Sequence, residues 1–332
     1  MSEGTAAARP PALARRDGAM APWAAPDARR WLQLGLAAIW LLDGVLQYQS
    51  VMFSKAFGQM LAATAPGNPA WIAEPITWAA GIVEHHLVST NTAFATIQLL
   101  LGLGIAWRPT LRPALAASIV WSAAVWWFGE GLGGVLAGTA SPVNGAPGGV
   151  IIYALLAVLL WPSGANRPLP AFVAARQVGV RAARALWLVL WGSLAYFAVT
   201  AANRTGQGLH DMVAAMASGE PGWLASINRG GADVLAHRGL TASIVLAAVL
   251  AAIAVGVFLP EPAVRATVLL AVVVSLIIWV VGQDLGGILA GGATDPNSGL
   301  LLALLALAYW PGGAAVMPHP ADHSPASAGI AP

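Results

Sequence analysis

Eight apolar runs of near-spanning length divide this chain and constrain its fold more than any other feature. A helix needs about 20 apolar residues to cross roughly 30 Å of hydrocarbon, whereas the strands of a membrane barrel alternate over about 10 residues. The runs are continuous, so the sequence predicts an all-α, polytopic membrane protein with eight transmembrane helices. They are Trp31–Val51, Val88–Trp107, Leu111–Leu136, Pro147–Trp161, Ala185–Ala202, Gly239–Leu259, Val264–Leu289 and Gly299–Trp310.

Composition excludes an ordinary water-soluble domain. Apolar residues make up 58% of the chain and charged residues 9%, against about a quarter charged in a typical soluble protein. We therefore expect the lipid bilayer as the main partner, and no nucleic-acid partner. The chain has no cysteine, which excludes disulfides, thiolate metal sites and a cysteine nucleophile.

Stretches that are poor in large apolar residues divide the chain into five segments. Residues 1–30 and 312–332 are predicted to be disordered cytoplasmic tails, and residues 163–184 a cytoplasmic linker. Residues 31–162 and 185–311 are each predicted to form a four-helix repeat.

The repeat rests on internal similarity. When the chain is slid on itself, Trp126–Asn144 matches Trp279–Asn297 at 10 of 19 positions. The fourth apolar run of each half then ends in the same pair, Trp161-Pro162 and Trp310-Pro311. Because four helices per copy is an even number, both copies insert with the same orientation, as parallel repeats.

The basic residues predict the orientation. Twelve of the 16 lie in the N-terminal tail, the central linker and the turns that carry Arg108 and Arg265. Short loops with an excess of Lys and Arg stay in the cytoplasm. We therefore predict a plasma (inner) membrane protein of bacterial type with both termini cytoplasmic.

The last apolar run of each half is too short to cross the membrane alone. The preceding glycine-rich stretches, Gly129–Gly149 and Gly282–Gly299, must then lie partly at membrane depth. Interrupted segments of this kind in two repeats point to a binding site, although the same glycines also suit close helix packing.

Three acids lie within apolar runs: Asp43 in the first, Glu130 in the third and Asp284 in the seventh. Such acids face the bundle interior, pair with one another, or mark a proton or ion path. We predict a polar intramembrane site between the repeats, in the outer half of the membrane. Its members are Asp43, Gln47, Gln98, Glu130, Gln283 and Asp284.

Three tryptophans lie about one helical turn before two of these acids. Trp126 and Trp127 precede Glu130, and Trp279 precedes Asp284. They are candidates for a pocket wall that stacks on a planar ligand. Their alternative role is that of interfacial anchors, which tryptophan commonly fills at the membrane surface.

The two long outer connections, Phe53–Leu87 and Asn203–Arg238, are predicted to contain amphipathic helices. They hold His85, His86, His210 and His237 together with four methionines, Met52, Met60, Met212 and Met216. Imidazole and thioether ligands suit Cu(I), so these histidines are candidates for a copper site. The alternative is that His85 and His237 pin the two loops.

No P-loop, GxSxG elbow, HExxH pair or Rossmann fingerprint occurs, so the sequence does not indicate an enzyme.

Two segments of the first half and the turn at Arg108 form a recognisable pattern. The segments are Leu34-Gly35-Leu36 to Asp43-Gly44, and Ile97-Gln98-Leu99-Leu100-Leu101-Gly102-Leu103-Gly104. This pattern resembles the DoxX-like family of small bacterial membrane proteins. The resemblance implies a four-helix unit in each half and quinone-linked or thiol redox work. The duplicated form is also similar to actinobacterial integral membrane proteins.

Three functions are consistent with these features. The first is a transporter or channel-like protein in which the acids handle a small solute, proton or cation. The second is a quinone-interacting redox subunit with quinone as its cofactor. The third is a scaffold or assembly factor in which the acids only hold helices together.

Overall fold

The computed structural model describes residues 27–162 and 171–312, and every regular element in these two ranges is helical. The predicted tails therefore lie outside the described residues, apart from Asp27–Arg30 at the start of the first helix and Gly312. Residues 163–170 of the predicted linker, including Arg167, also lie outside them.

Fourteen α-helices occur in the described ranges. In the first half they are α1 Ala28–Leu46, α2 Lys55–Ala62, α3 Ala70–His85, α4 Leu87–Ala106, α5 Leu111–Phe128 and α6 Gly149–Leu159. In the second half they are α7 Ala175–Val178, α8 Val180–Ala198, α9 Ala201–Arg204, α10 Gly208–Met216, α11 Gly222–Leu235, α12 Gly239–Gly256, α13 Glu261–Ile277 and α14 Asn297–Leu307. Short 3-10 turns lie at Ser50–Phe53, Arg108–Thr110, Gly131–Gly134, Pro142–Asn144 and Asp284–Gly286, and a π-helical turn extends α13 over Ile278–Gly282.

Four of these helices are long and apolar enough to cross a membrane, by length and composition. They are Leu87–Ala106, Arg108–Phe128, Gly239–Gly256 and Glu261–Gly282. Large apolar side chains on their outer faces, such as Leu100, Val120, Val245 and Leu269, are more than half exposed. A surface of this kind requires an apolar solvent, which is consistent with a membrane protein.

The helices α1, α6, α8 and α14 pack against these four helices. α1 packs along α4, and α8 packs along α12 in the same manner. α6 and α14 are 11 residues each, pack against α5 and α13 respectively, and contact one another. One apolar core includes residues of both halves, among them Trp40, Leu156, Trp187 and Leu301. α1 includes Arg29, Arg30, Gln33 and Asp43, and α8 includes Arg181 and Arg184, so both helices are less apolar on average than the four helices above.

The two ends of the bundle differ in chemistry. At the arginine end, the guanidinium of Arg29 donates to the Trp161 carbonyl, and that of Arg30 donates to the carbonyls of Ile105 and Ala106. At the opposite end, which we call the loop end, α3 and α11 contact the 3-10 turns that follow α5 and α13. The predicted helices of the two long connections are therefore present, as α2 and α3 and as α10 and α11.

Several helix boundaries differ from the predicted ones. α5 ends at Phe128 rather than Leu136, and the helical turn after α13 ends at Gly282 rather than Leu289. Both ends are followed by four consecutive residues with positive φ, which cannot continue a right-handed helix. These are Gly131, Leu132, Gly133 and Gly134 in one half, and Asp284, Leu285, Gly286 and Gly287 in the other.

The linker boundaries also differ from the prediction. α7 and the first turn of α8 lie within residues 163–184, and α1 begins at Ala28 inside the predicted tail. Ala174 N–H donates to the Ala308 carbonyl, and the Phe172 ring stacks on Tyr309. These contacts hold the described part of the linker against the end of α14.

Candidate functional site

A cavity of about 340 Å³ is bounded by α1 to α6 of the first half and by the segment before α14. We call it the acid cavity. Its polar side chains are Asp43, Gln47, Thr90, Gln98, Glu130, Thr294 and Asp295. Its aromatic side chains are Trp40, Phe57, Trp78, Phe94, Trp121 and Phe128. An apolar wall with a few convergent polar groups is typical of a small-molecule site.

Asp43 lies in the last turn of α1, with 1% of its surface exposed. Its Oδ2 accepts a 2.6 Å hydrogen bond from the Tyr153 hydroxyl of α6, whereas its Oδ1 has no hydrogen-bond partner among the described residues. The Trp40 indole fixes this pair from one side, with its ring 4.3 Å from the Tyr153 ring and its Nε1 donating to Ser118. An unpaired carboxylate buried in this way costs several kcal/mol, so the group requires a proton or a cation.

Glu130 follows α5 by two residues, in the turn before the left-handed segment. Its Oε1 accepts a 3.1 Å hydrogen bond from the Val150 N–H in the first turn of α6. The positive end of that helix stabilises the carboxylate. Its Oε2 has no partner among the described residues. The prediction placed Glu130 within the third helix, which is wrong because the helix ends at Phe128.

Asp295 lies immediately before α14 and was not predicted. Its Oδ1 accepts from the Asn297 N–H at 2.7 Å, and its Oδ2 accepts from the Thr294 hydroxyl at 2.9 Å. A Cβ added to Gly149 would lie 3.3 Å from Asp295 Oδ1 and 3.5 Å from Glu130 Oε1. The N-terminal ends of the two 11-residue helices therefore meet at two carboxylates, with a glycine between them.

Gln47 and Gln98 contribute neutral groups to the acid cavity. Both are buried, and the side-chain oxygen of each has no hydrogen-bond partner among the described residues. Asn91 donates to the Gln47 carbonyl at 2.7 Å and fixes the end of α1 against α4. The polar set of the cavity is therefore rich in acceptor oxygens that protein groups leave unused.

A second cavity of about 610 Å³ adjoins the first at the loop end. It is lined by glycine-rich backbone, and both cavities include Gly129, Glu130, Thr294 and Asp295. Glu130 and Asp295 thus stand at the junction of the two cavities. Any Cβ at Gly133 would lie 2.1 Å from the Pro147 carbonyl oxygen, so the narrow turn there accepts only glycine.

The structure brings together four of the six predicted polar residues, namely Asp43, Gln47, Gln98 and Glu130. Gln283 does not line the acid cavity. Its side chain accepts a hydrogen bond from the Gly299 N–H at 2.9 Å and donates to the Ser298 hydroxyl and to the Pro142 carbonyl, so it connects the two halves.

Asp284 also lies outside the acid cavity, with Glu220 of the segment before α11 as its neighbouring carboxyl group. It lies beyond the end of the seventh helix, because its own φ is positive.

The predicted tryptophan wall has another arrangement. The Trp126 indole donates to the Pro147 carbonyl at 2.7 Å, and the Trp279 indole donates to the Pro296 carbonyl at 2.7 Å. The Trp126 bond holds the backbone just before α6, and the Trp279 bond holds the backbone just before α14. Trp127 lies against Trp71 and Phe128. The tryptophans that line the acid cavity are instead Trp40, Trp78 and Trp121.

The predicted histidines lie apart from the acid cavity. His85 and His86 line a shallow depression at the junction of α3 and α4. His210 lies 2.9 Å from Asp211, and the His237 N–H donates to the Gln207 side chain. Within residues 27–162 and 171–312, no group of three or more His, Cys, Asp or Glu side chains is arranged to hold a metal ion.

The second half lacks an equivalent of the Asp43–Tyr153 pair. When α8 is aligned on α1 with Trp191 matched to Trp40, the buried Leu194 falls at the position of Asp43. In the register of the fourth runs, the buried Leu302 corresponds to Tyr153. Apolar side chains therefore occupy the positions that form an acid site in the first half.

No protein-family model, curated protein or solved structure matches this chain.

Proposed function

We propose that this chain is a multi-pass plasma-membrane protein that binds a small organic solute in the acid cavity and transports it. One observation carries the proposal. A buried carboxylate oxygen of Asp43 has no hydrogen-bond partner in the part of the chain that the structure describes, and it lies in the wall of a cavity large enough for a small molecule.

The proposed membrane arrangement has eight spans in two parallel repeats, with both termini in the cytoplasm and the acid cavity in the outer half. Several features support it. The left-handed segments after α5 and α13 occur at matching positions, Trp126 and Trp279 make the same bond, and α6 and α14 have the same length. The arginine end would face the cytoplasm. Reporter fusions after residue 312, and in the connections that carry α3 and α11, test this arrangement; a fusion after α3 that reports a cytoplasmic location contradicts it.

The junction of the two cavities supports transport rather than simple binding. Glu130 and Asp295 stand between the acid cavity and the glycine-lined cavity, so a solute that leaves Asp43 toward the loop end meets two further carboxyl groups. Acids that line a cavity at membrane depth are typical of substrate and ion pathways.

A cavity-filling variant tests the proposal. Ala124 of α5 lines the acid cavity, and its neighbour Ala123 lies on the exposed face of the same helix. We expect native mass spectrometry to detect a solute that co-purifies with the wild-type protein and to detect none bound to Ala124→Trp. We also expect this variant to abolish uptake of that solute into proteoliposomes. The matched variant Ala123→Trp should retain both, and equal behaviour of the two variants contradicts the proposal.

A second candidate function is a quinone-linked redox subunit. The six aromatic side chains of the acid cavity favour it, because a planar ring can stack between them, and the DoxX-like resemblance implies it. The absorbance spectrum and the organic extract of the purified protein distinguish the two functions. A quinone that is present in the wild-type extract and absent from the Ala124→Trp extract would favour the redox function over solute transport. Loss of folding in Asp43→Asn, with no solute uptake by the correctly folded wild-type protein, would favour a scaffold role instead.

A further inference from the structure

We infer that the solute of the acid cavity is an organic cation: a protonated amine attached to an aromatic or other apolar body. This inference rests on the proposed function, because it names the chemical class of the ligand for the same cavity.

The acid cavity has an excess of acidic groups. Asp43, Glu130 and Asp295 line it, and among the described residues no Lys, Arg or His side chain lines either this cavity or the adjoining glycine-lined cavity. The ion pairs found among the described residues involve other acids, Asp27, Asp211 and Glu261. A cationic ligand would supply the charge that the protein itself does not place here.

The cavity also presents acceptor atoms that are not used by hydrogen bonds among the described residues. Asp43, Gln47 and Gln98 are 1%, 2% and 8% exposed, and each has one side-chain oxygen without a hydrogen-bond partner among the described residues. Tyr153 occupies only Oδ2 of Asp43. Oxygens of a carboxylate and two amides are acceptors, so the group that satisfies them must be a donor. An ammonium group presents up to three N–H donors and a positive charge.

Aromatic side chains form much of the cavity wall. Trp40, Trp78 and Trp121 line the same cavity as the acids, together with Phe57, Phe94 and Phe128. The face of an aromatic ring attracts an organic cation, most strongly when the ring is that of tryptophan and water is excluded. The same rings bury the apolar body of the ligand.

The aromatic wall also argues against a metal ion. Hard cations such as Mg²⁺ and Ca²⁺ require about six or more oxygen ligands at short distance. The three carboxyl groups come from three separate elements, and the described residues form no group of metal ligands. A cavity of about 340 Å³ with six aromatic side chains is also far larger than a bare ion needs.

Three probes of similar size and different charge test this inference: 2-phenylethylammonium, the neutral 2-phenylethanol and the anionic 3-phenylpropanoate. Binding is measured by isothermal titration calorimetry on the full chain in detergent at neutral pH. We expect the ammonium probe to bind at least roughly tenfold more tightly than the alcohol, and the carboxylate probe not to bind.

Variants assign the binding to the acid cavity. Asp43→Asn should weaken the ammonium probe roughly 30-fold or more, as expected when one member of a buried charge pair is removed. Asp233→Asn, at an exposed acid of α11, is the matched control and should bind the probe like the wild type. If Asp43→Asn does not fold, Glu130→Gln is used in its place, and its thermal unfolding must match that of the wild type.

The organic cation and the small-molecule site can fail independently of one another in these experiments. Equal binding of the alcohol and the ammonium probes, or unchanged binding in the acid variants, overturns the organic cation. Absence of ammonium binding also overturns it. In each case the small-molecule site itself is judged independently by the Ala124→Trp and Ala123→Trp pair, because native mass spectrometry detects a bound solute of any charge.

Discussion

The Tyr153 hydroxyl donates a 2.6 Å hydrogen bond to Asp43 Oδ2 and joins α6 to α1 in the interior of the bundle. Both residues are buried, and 110 positions separate them in the chain. The bond orients the carboxylate so that its second oxygen is left for another donor. It is therefore both a structural contact and the support of the candidate site.

Removal of this hydroxyl tests its structural part. Tyr153→Phe keeps the ring beside Trp40 but leaves both oxygens of Asp43 without a protein donor. We expect a loss of about 1–3 kcal/mol in the free energy of unfolding, as for any buried polar group that loses its partner. Thermal unfolding in detergent, followed by tryptophan fluorescence, measures it. Tyr196→Phe is the control because Tyr196 is exposed, and an equal loss in both variants would contradict the assignment.

Glycine variants test the left-handed turn after α5. Gly133 and Gly138 both have positive φ, but a Cβ at Gly133 would lie 2.1 Å from the Pro147 oxygen, whereas a Cβ at Gly138 has no atom within 4 Å. Gly138→Ala should cost only about 1–2 kcal/mol of left-handed strain. Gly133→Ala should cost more and reduce the yield of folded protein. Comparable unfolding temperatures for the two variants would show that the Pro147 contact is unimportant.

The pair of indole bonds gives a third prediction. Trp126→Phe and Trp279→Phe each remove a donor from a proline carbonyl that precedes a short helix, so each should destabilise the protein by about 1 kcal/mol or more. Trp127→Phe, which changes a ring that lies against Trp71 and Phe128, should have a smaller effect. Denaturant unfolding of the three variants measures the difference, and a larger loss for Trp127→Phe argues against this account.

The ion pair at the arginine end predicts a pH dependence. Partial burial acts to raise the pKa of Asp27, but the hydrogen bond and charge of Arg176, with the aid of Arg29, outweigh it and hold this pKa below its ordinary value. The stabilisation is therefore fully present above the ordinary aspartate pKa of about 3.9, and is lost as the pH falls through the lower value of the folded state.

The variant Asp27→Asn isolates this contribution. Since half of the Asp27 side chain is exposed, the wild type should exceed the variant by no more than about 1 kcal/mol near neutral pH. The difference should shrink at high salt and decline as the pH falls through the lowered pKa of Asp27 in the folded state. Unfolding of both proteins is compared from neutral pH into the acid range. A difference that does not decline on acidification would assign the effect to something other than the ion pair.

The site predicted from the sequence and the cavity seen in the structure differ in one acid, Asp284. The sequence places it with Asp43 and Glu130, whereas the structure places Asp295 there instead. Solute binding should therefore be unchanged in Asp284→Asn and reduced roughly tenfold or more in Asp295→Asn, which removes a charge from the cavity wall. Binding is measured with the co-purified solute, and the reverse ranking would favour the site predicted from the sequence.

Some members of the site could be identified from the sequence for a simple reason. Asp43 lies within an apolar run, where a charge is expensive and must face the interior, and Gln47 follows it by one helical turn. Glu130 was found by the same argument, even though it lies beyond the end of its helix. Asp295 was missed because it lies outside the apolar runs. The glycine-rich stretch that contains it was expected at membrane depth, and this was the signal that could have revealed it.

The pattern of apolar runs by itself determined that the chain is helical, where its long helices lie and that the sixth and last α-helices are short, because these follow from local composition and from the length of each run. Which acids share a cavity was decided only by the tertiary structure. Glu130 and Asp284 lie beyond the ends of their helices, before and within the left-handed turns that follow α5 and α13 respectively, and the packing of α14 against α6 brings Asp295 to Glu130 although about half of the chain separates them in sequence. Contacts of this kind depend on how helices cross in space, which the spacing of residues along one chain does not encode.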